Sequence, residues 1–160
     1  MKEQHAIWKT HSGEETIDLG RKLGAVLGKG DVIALAGGLG SGKTCFTKGV
    51  ALGLGVSPDT VITSPSFALM NQYEGRCTLF HMDVYRLGSV SDFLDTGLDE
   101  YLYGDGVTVM EWADRWQEIL PDWRLEVQFT ILDAQIRRII MSGWKPRALE
   151  IVGKLRHALE

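Results

Sequence analysis

Residues 31–45 read DVIALAGGLGSGKTC, and this stretch decides the fold. Asp31 to Ala36 is a short apolar run of the kind that suits a strand buried on both faces. Glycine weakens regular structure, so glycines at 37, 38, 40 and 42 directly after a strand need a reason. Residues 37–44, GGLGSGKT, match G-x-x-x-x-G-K-[ST] without a gap. The pattern suits a nucleoside triphosphate. Backbone N–H groups face phosphate oxygens only where the chain curls tightly, and Gly40 and Gly42 permit that curl without blocking side chains. Lys43 supplies positive charge to the β and γ phosphates, and the Thr44 hydroxyl suits Mg²⁺. The helical pattern from Lys43 to about Leu54 turns its N-terminus toward the anion. The expected phosphate-binding set is therefore Gly38, Leu39, Gly40, Ser41, Gly42, Lys43, Thr44 and Cys45.

Outward from this motif the chain alternates helical and strand-like patterns. Ser12 followed by Glu15 predicts a capped helix start, with Ile17, Gly20, Leu23, Gly24 and Leu27 near helical spacing. Residues 67–73 and 76–86 flank Glu74-Gly75 and read as a β-hairpin. Residues 98–104 suggest a short helix, GVTVMEW at 106–112 a further strand, and WADRWQEIL at 112–120 a helix stopped by Pro121. Residues 123–132 and 136–143 resemble a second hairpin, and PRALEIVGKLRHAL closes the chain as an amphipathic helix with Pro146 in its first turn. The expectation is a single α/β domain over residues 1–160, like a P-loop NTPase, with a mixed parallel and antiparallel sheet flanked by helices.

Composition narrows the function classes. Of 160 residues, 44% are hydrophobic and 24% charged, and the net charge is −4, which argues against a free-standing nucleic-acid binder. The 2 cysteines, Cys45 and Cys77, form no metal pattern, and a disulfide between them is not expected. The polar N-terminus lacks the apolar core of a signal peptide, so the expected location is the cytoplasm.

A P-loop needs a second carboxylate for its metal at the end of a neighbouring strand, and Glu111 ends VTVME. In HMDVYR, residues 81–86, alternation puts His81, Asp83 and Tyr85 on one face. Asp83 is a candidate to orient the attacking water, and Arg86 to neutralise phosphate charge or tie down a loop. In the loop TSPSF, residues 63–67, Ser64 or Ser66 is a candidate γ-phosphate sensor. No N-K-x-D sequence is present, so ATP is favoured over GTP.

The ordered set GGLGSGKT, SPSF, HMDVYRL and MEW resembles the TsaE family, also called YjeE. The resemblance implies a Mg²⁺-dependent ATPase required for threonylcarbamoyladenosine in tRNA. It implies action on a TsaB–TsaD partner pair rather than group transfer by this chain, with tRNA met only indirectly. It implies Lys43, Asp83 and Glu111 as catalytic, Thr44 and Glu111 as metal residues, and Ser66 as the switch-loop hydroxyl. Trp112 is implied to be sensitive to change, and Thr10, His11 and Ser12 to approach the base. An arginine near the nucleotide is either Arg137 or Arg138. The family usually carries Asp where Gly38 stands and Thr where Ser66 stands; neither departure removes a needed group. Two other functions are compatible with a P-loop of this size: a small-metabolite kinase, and a nucleotide-controlled binding module without useful hydrolysis.

Overall fold

Val32–Ala36 is strand β2, with Ile33 and Leu35 turned to one face of the sheet and Val32 and Ala34 to the other. Both sets are buried, as a central strand covered on both sides requires. The structure, a computed structural model, describes residues 4–65, 68–115 and 117–159. The remaining strands are β1 (Gln4–Thr10), β3 (Met70–Glu74), β4 (Thr78–Asp83), β5 (Val107–Glu111), β6 (Leu125–Ile131) and β7 (Arg137–Gly143). They form one seven-stranded sheet in the order β1-β7-β6-β2-β5-β4-β3. Strands β6, β2, β5 and β4 are mutually parallel, while β7, β1 and β3 run antiparallel to their neighbours. The fold is thus an α/β domain with a mixed sheet, and both expected hairpins form.

Helices α1 (Gly13–Val26), α2 (Lys43–Gly53) and α4 (Pro146–Leu159) cover one face, joining Leu23, Phe46, Val50, Ile151 and Leu155 to the core. The short helix α3 (Val90–Asp95) and irregular segments cover part of the other face through Phe93, Leu102, Ala113 and Leu120. Helices α1 and α2 meet through glycine on both sides. A methyl group on Gly20 or Gly24 would overlap the Phe46 or Val50 carbonyl oxygen, and one on Gly49 or Gly53 that of Ile17 or Arg21. Glycine lets the backbones touch, so the two helices form one platform under the loop between β2 and α2. Among the described residues no helix is long and apolar enough to cross a membrane.

The helix start at Ser12 forms as expected: its hydroxyl accepts from Glu15 N at 3.1 Å. Glu15 closes the motif on His11 N rather than on Ser12 N, at 3.0 Å. Three segments differ from the sequence-based expectation. Gln4–Thr10 is an edge strand, and Val90–Asp95 a capped helix; neither was expected. Residues 112–120 are not one helix: Trp112 has φ +63°, and two short 3₁₀ turns, Ala113–Arg115 and Gln117–Ile119, follow. A non-glycine residue in the left-handed region costs about 1–2 kcal/mol and lies off the right-handed helical path, so the expected helix does not begin at Trp112. Trp116, between those turns, lies outside the described residues.

Candidate functional site

The parallel strands β2, β5 and β4 end side by side, with Leu35 opposite Glu111 and Glu111 opposite Asp83. Ligands of open α/β sheets bind in the crevice outside such strand ends. A cleft of about 500 Å³ opens there, lined by Leu39, Gly40, Ser41, Gly42, Lys43, Thr44, Cys45, Ser64, Asp83, Tyr85, Arg86, Glu111 and Trp112. Residues from four separate stretches of sequence are brought together in it.

The loop between β2 and α2 turns through positive φ at Gly40 (+73°) and Gly42 (+105°). Gly37 is also restricted, because a methyl there would sit 2.7 Å from Ser41 Oγ and 3.0 Å from Phe129 Cβ. Lys43 opens α2 and folds back across this loop. Its Nζ donates to the Gly37 carbonyl at 2.7 Å and lies 3.6 Å from the centre of the Trp112 ring. Burial pushes the Lys43 ammonium below the ordinary lysine range, against the pull of Glu111, Asp83 and Asp114. Thr44, the next residue, is exposed at the mouth.

The two candidate carboxylates are almost fully buried, Asp83 at 4% and Glu111 at 3% exposure, so their charges depend on local partners. Asp83 accepts from Ser64 Oγ at 3.0 Å and from Tyr85 N at 2.9 Å. Glu111 Oε2 lies 2.6 Å from Nε2 of the fully buried His81. Tyr85 lies beyond the end of β4, exposed, with its ring 4.8 Å from that of Trp112. Trp112 thereby stacks between Lys43 and Tyr85, which supports its left-handed backbone. Arg86 lines the mouth of the cleft and is exposed. Ser66 lies outside the described residues.

A second, smaller cavity of about 170 Å³ adjoins the other side of the loop, lined by Ser12, Gly13, Thr16, Gly40, Gly42, Cys45, Ala134, Gln135 and Arg137. Arg137 and Arg138 point to opposite sides of β7, as consecutive strand residues must. Arg137 Nη2 donates to the Gly40 carbonyl at 3.0 Å, and its Nη1 to the carbonyls of Asp133, Ala134 and Ile136. Arg138 is exposed and pairs in register with Lys9 on the open side of the sheet. Of the three residues leading from β1 into α1, Ser12 borders the small cavity. Thr10 is buried and shares a 2.8 Å hydrogen bond with Thr16, and His11 is exposed on Glu15. Cys45 and Cys77 are both free thiols.

The donor set fits a hard divalent cation held jointly with phosphate. Thr44 and Glu111 offer a hydroxyl and a carboxylate on the same cleft, with Asp83 alongside. Among the described residues no group of three or more His, Cys, Asp or Glu side chains is arranged to hold a metal alone. Mg²⁺ is typically held by few protein oxygen ligands plus water and substrate phosphates, and the Thr44 hydroxyl and Glu111 carboxylate are donors of that kind.

Three findings were not expected from the sequence: the His81–Glu111 hydrogen bond, the anchoring of the loop by Arg137, and the contribution of Thr16, Ala134 and Gln135 to the small cavity.

Comparison with known proteins supplies an independent line. A family model described as threonylcarbamoyl adenosine biosynthesis protein TsaE matches residues 10–140. The chain is 44% identical over 133 residues to the tRNA threonylcarbamoyladenosine biosynthesis protein TsaE of Treponema pallidum, covering 83% of this chain and 97% of that protein. It is 45% identical over 121 residues to the protein of the same description from Bacillus subtilis, covering 75% of this chain and 74% of that one. Its backbone matches the crystal structure of Bacillus subtilis YdiB with a TM-score of 0.86 at 34% identity, over 100% of this chain and 99% of the other.

Proposed function

The chain belongs to the TsaE family of threonylcarbamoyl adenosine biosynthesis, and from that premise we propose that it is the Mg²⁺-dependent ATPase of the pathway. The observation that carries this reading is the convergence of Lys43, Thr44, Asp83 and Glu111 on one cleft at the ends of parallel strands. In the proposed complex the triphosphate lies along the loop from Gly38 to Cys45. The turns at Gly40 and Gly42 direct backbone N–H groups to its oxygens. Lys43 leaves the Gly37 carbonyl and the Trp112 ring for the β and γ phosphates. The base takes the small cavity between Ser12 and Gln135, while Arg137 steadies the loop through the Gly40 carbonyl.

Mg²⁺ would be held by Thr44 and Glu111, and when bound it neutralises charge that develops on the phosphates. Asp83 orients the attacking water and accepts its hydrogen bond. The water oxygen forms a bond to the γ phosphorus as the bond to the β–γ bridging oxygen breaks, yielding ADP and phosphate. Ser64, which donates to Asp83, couples its own loop position to this step.

The energy is proposed to act on a TsaB–TsaD pair in the cytoplasm rather than in transfer of the threonylcarbamoyl group by this chain. The net charge of −4 suits a subunit that leaves tRNA to its partners. The test is phosphate release from ATP with Mg²⁺, measured for the chain alone and with the TsaB–TsaD pair of the same cell. Weak release that rises strongly in the complex is the expected result. Release that is unchanged by the pair contradicts the partner assignment, and phosphate transferred to an organic acceptor identifies a kinase instead.

A further inference from the structure

His81 is fully buried, sits two strands away from the phosphate loop, and has no role in the reading above. Its Nε2 lies 2.6 Å from Glu111 Oε2, while its Nδ1 is buried without a hydrogen-bond partner among the described residues. An ionised carboxylate only accepts hydrogen bonds, so Nε2 carries the proton in this pair. His81 therefore holds one oxygen of Glu111 and leaves the other for the cleft that Glu111 lines.

The consequence extends to Lys43. Among the described residues its Nζ makes no ion pair with Glu111 or Asp83, although both carboxylates line the same cleft and attract it. Its contacts are with neutral groups, the Gly37 carbonyl and the Trp112 ring. Glu111 and Lys43 line the same cleft and attract each other, so a Glu111 carboxylate without its hydrogen bond to His81 would be drawn toward the ammonium.

We infer that His81 is a positioning residue: its Nε2–H fixes Glu111 in a metal-accepting orientation and keeps that carboxylate off Lys43. The inference rests on the nucleotide and metal reading of the cleft. Hydrogen-bonded partners of metal-ligating groups typically contribute about 10–100-fold to metal affinity or activity.

The test is the ratio of nucleotide affinities with Mg²⁺ and with EDTA, measured by calorimetric titration of the non-hydrolysed analogue AMP-PNP. The wild-type chain is expected to bind more tightly with Mg²⁺. His81→Leu is expected to lose about tenfold of that gain. His81→Gln, whose amide nitrogen reaches the position of Nε2, is expected to recover most of it. A histidine that only fills the core would alter stability and leave the ratio alone, so an unchanged ratio in folded His81→Leu overturns the inference. Where His81→Leu does not fold, His81→Gln and His81→Asn decide, because Asn places its donor at the Nδ1 position. Recovery by Gln and not by Asn supports the inference, and equal ratios overturn it. A wild-type chain that binds AMP-PNP equally with and without Mg²⁺ overturns the metal reading and this inference with it. Absence of binding overturns the nucleotide reading itself.

Discussion

Buried charge occurs at both ends of β2, and the two ends are built differently. Before the strand, Asp31 is 5% exposed and fully engaged. Arg147 of α4 grips it with two hydrogen bonds, of 2.9 Å and 2.7 Å, and Gly28 N donates to the same carboxylate. The Arg147 guanidinium also reaches the Val26 carbonyl, so three elements are tied at one point. After the strand, Lys43, Asp83 and Glu111 crowd into a cleft with no ion pair between Lys43 and either acid among the described residues. The buried side-chain atoms without a hydrogen-bond partner among the described residues are Ser41 Oγ, His81 Nδ1 and Arg137 Nε, all at this end. So is the left-handed Trp112. Native proteins satisfy buried polar groups almost everywhere, so such a concentration is what the ATP site proposed above would require. One end of β2 holds the fold together, and the other holds its polar groups ready.

The contrast can be broken by substitution at either end. The largest effect on turnover is expected from Asp83→Asn, which keeps the size of the side chain and removes its charge. Turnover of ATP should fall about 100-fold while ATP affinity stays within about threefold. Single-turnover phosphate release beside an equilibrium titration checks both, and full turnover in Asp83→Asn removes Asp83 from the chemistry. At the opposite end, Arg147→Met should lower unfolding stability by about 2 kcal/mol, since Asp31 is left buried without its partner. Urea denaturation measures that loss, and nucleotide affinity of the folded variant should not change. A variant as stable as wild type would show that the anchor is ornamental.

The smallest effect concerns pH. Burial lowers the Lys43 ammonium pKa in the folded chain. Below that lowered value both folded and unfolded chains carry the proton, and the folded chain bears the full burial cost. As pH rises from there toward the ordinary lysine value, the folded chain releases its proton first, so the wild type gains stability. Lys43→Met should therefore be slightly more stable than wild type at neutral pH, with the gap in melting temperature narrowing as pH rises. A gap that widens would reverse the assignment of burial as the dominant cause.

The same contrast explains what could be read from the chain. The stretch 31–45 was legible because its strand, its glycines and its lysine are contiguous, and each follows a local rule. Edge strand β1 was not, because its outer face exposes His5, Ile7 and Lys9 and its inner face buries the small or polar Ala6 and Thr10, which leaves a weak apolar signal. The short helix α3 carries a readable cap, with Ser89 accepting from Asp92 N, but too few apolar residues to reveal a helical period. WADRWQEIL has helical spacing, yet Trp112 takes a left-handed backbone beside Lys43 and Tyr85, a tertiary arrangement with no local signature. The choice between Arg137 and Arg138 depended on which face of β7 meets the loop, and only the register with β6 and β1 sets that. His81 meets Glu111 across 30 residues because Asp83 aligns with Glu111 between the parallel strands β4 and β5.

The central claim is that the cleft after β2 is an ATP site organised by Lys43. It is tested most directly by calorimetric titration of ATP with Mg²⁺ into wild type and into Lys43→Ala. The account predicts one saturable site per wild-type chain and a loss of at least about 100-fold in Lys43→Ala, with the variant still folded. Equal binding by the two chains, or no saturable binding by wild type, would contradict it.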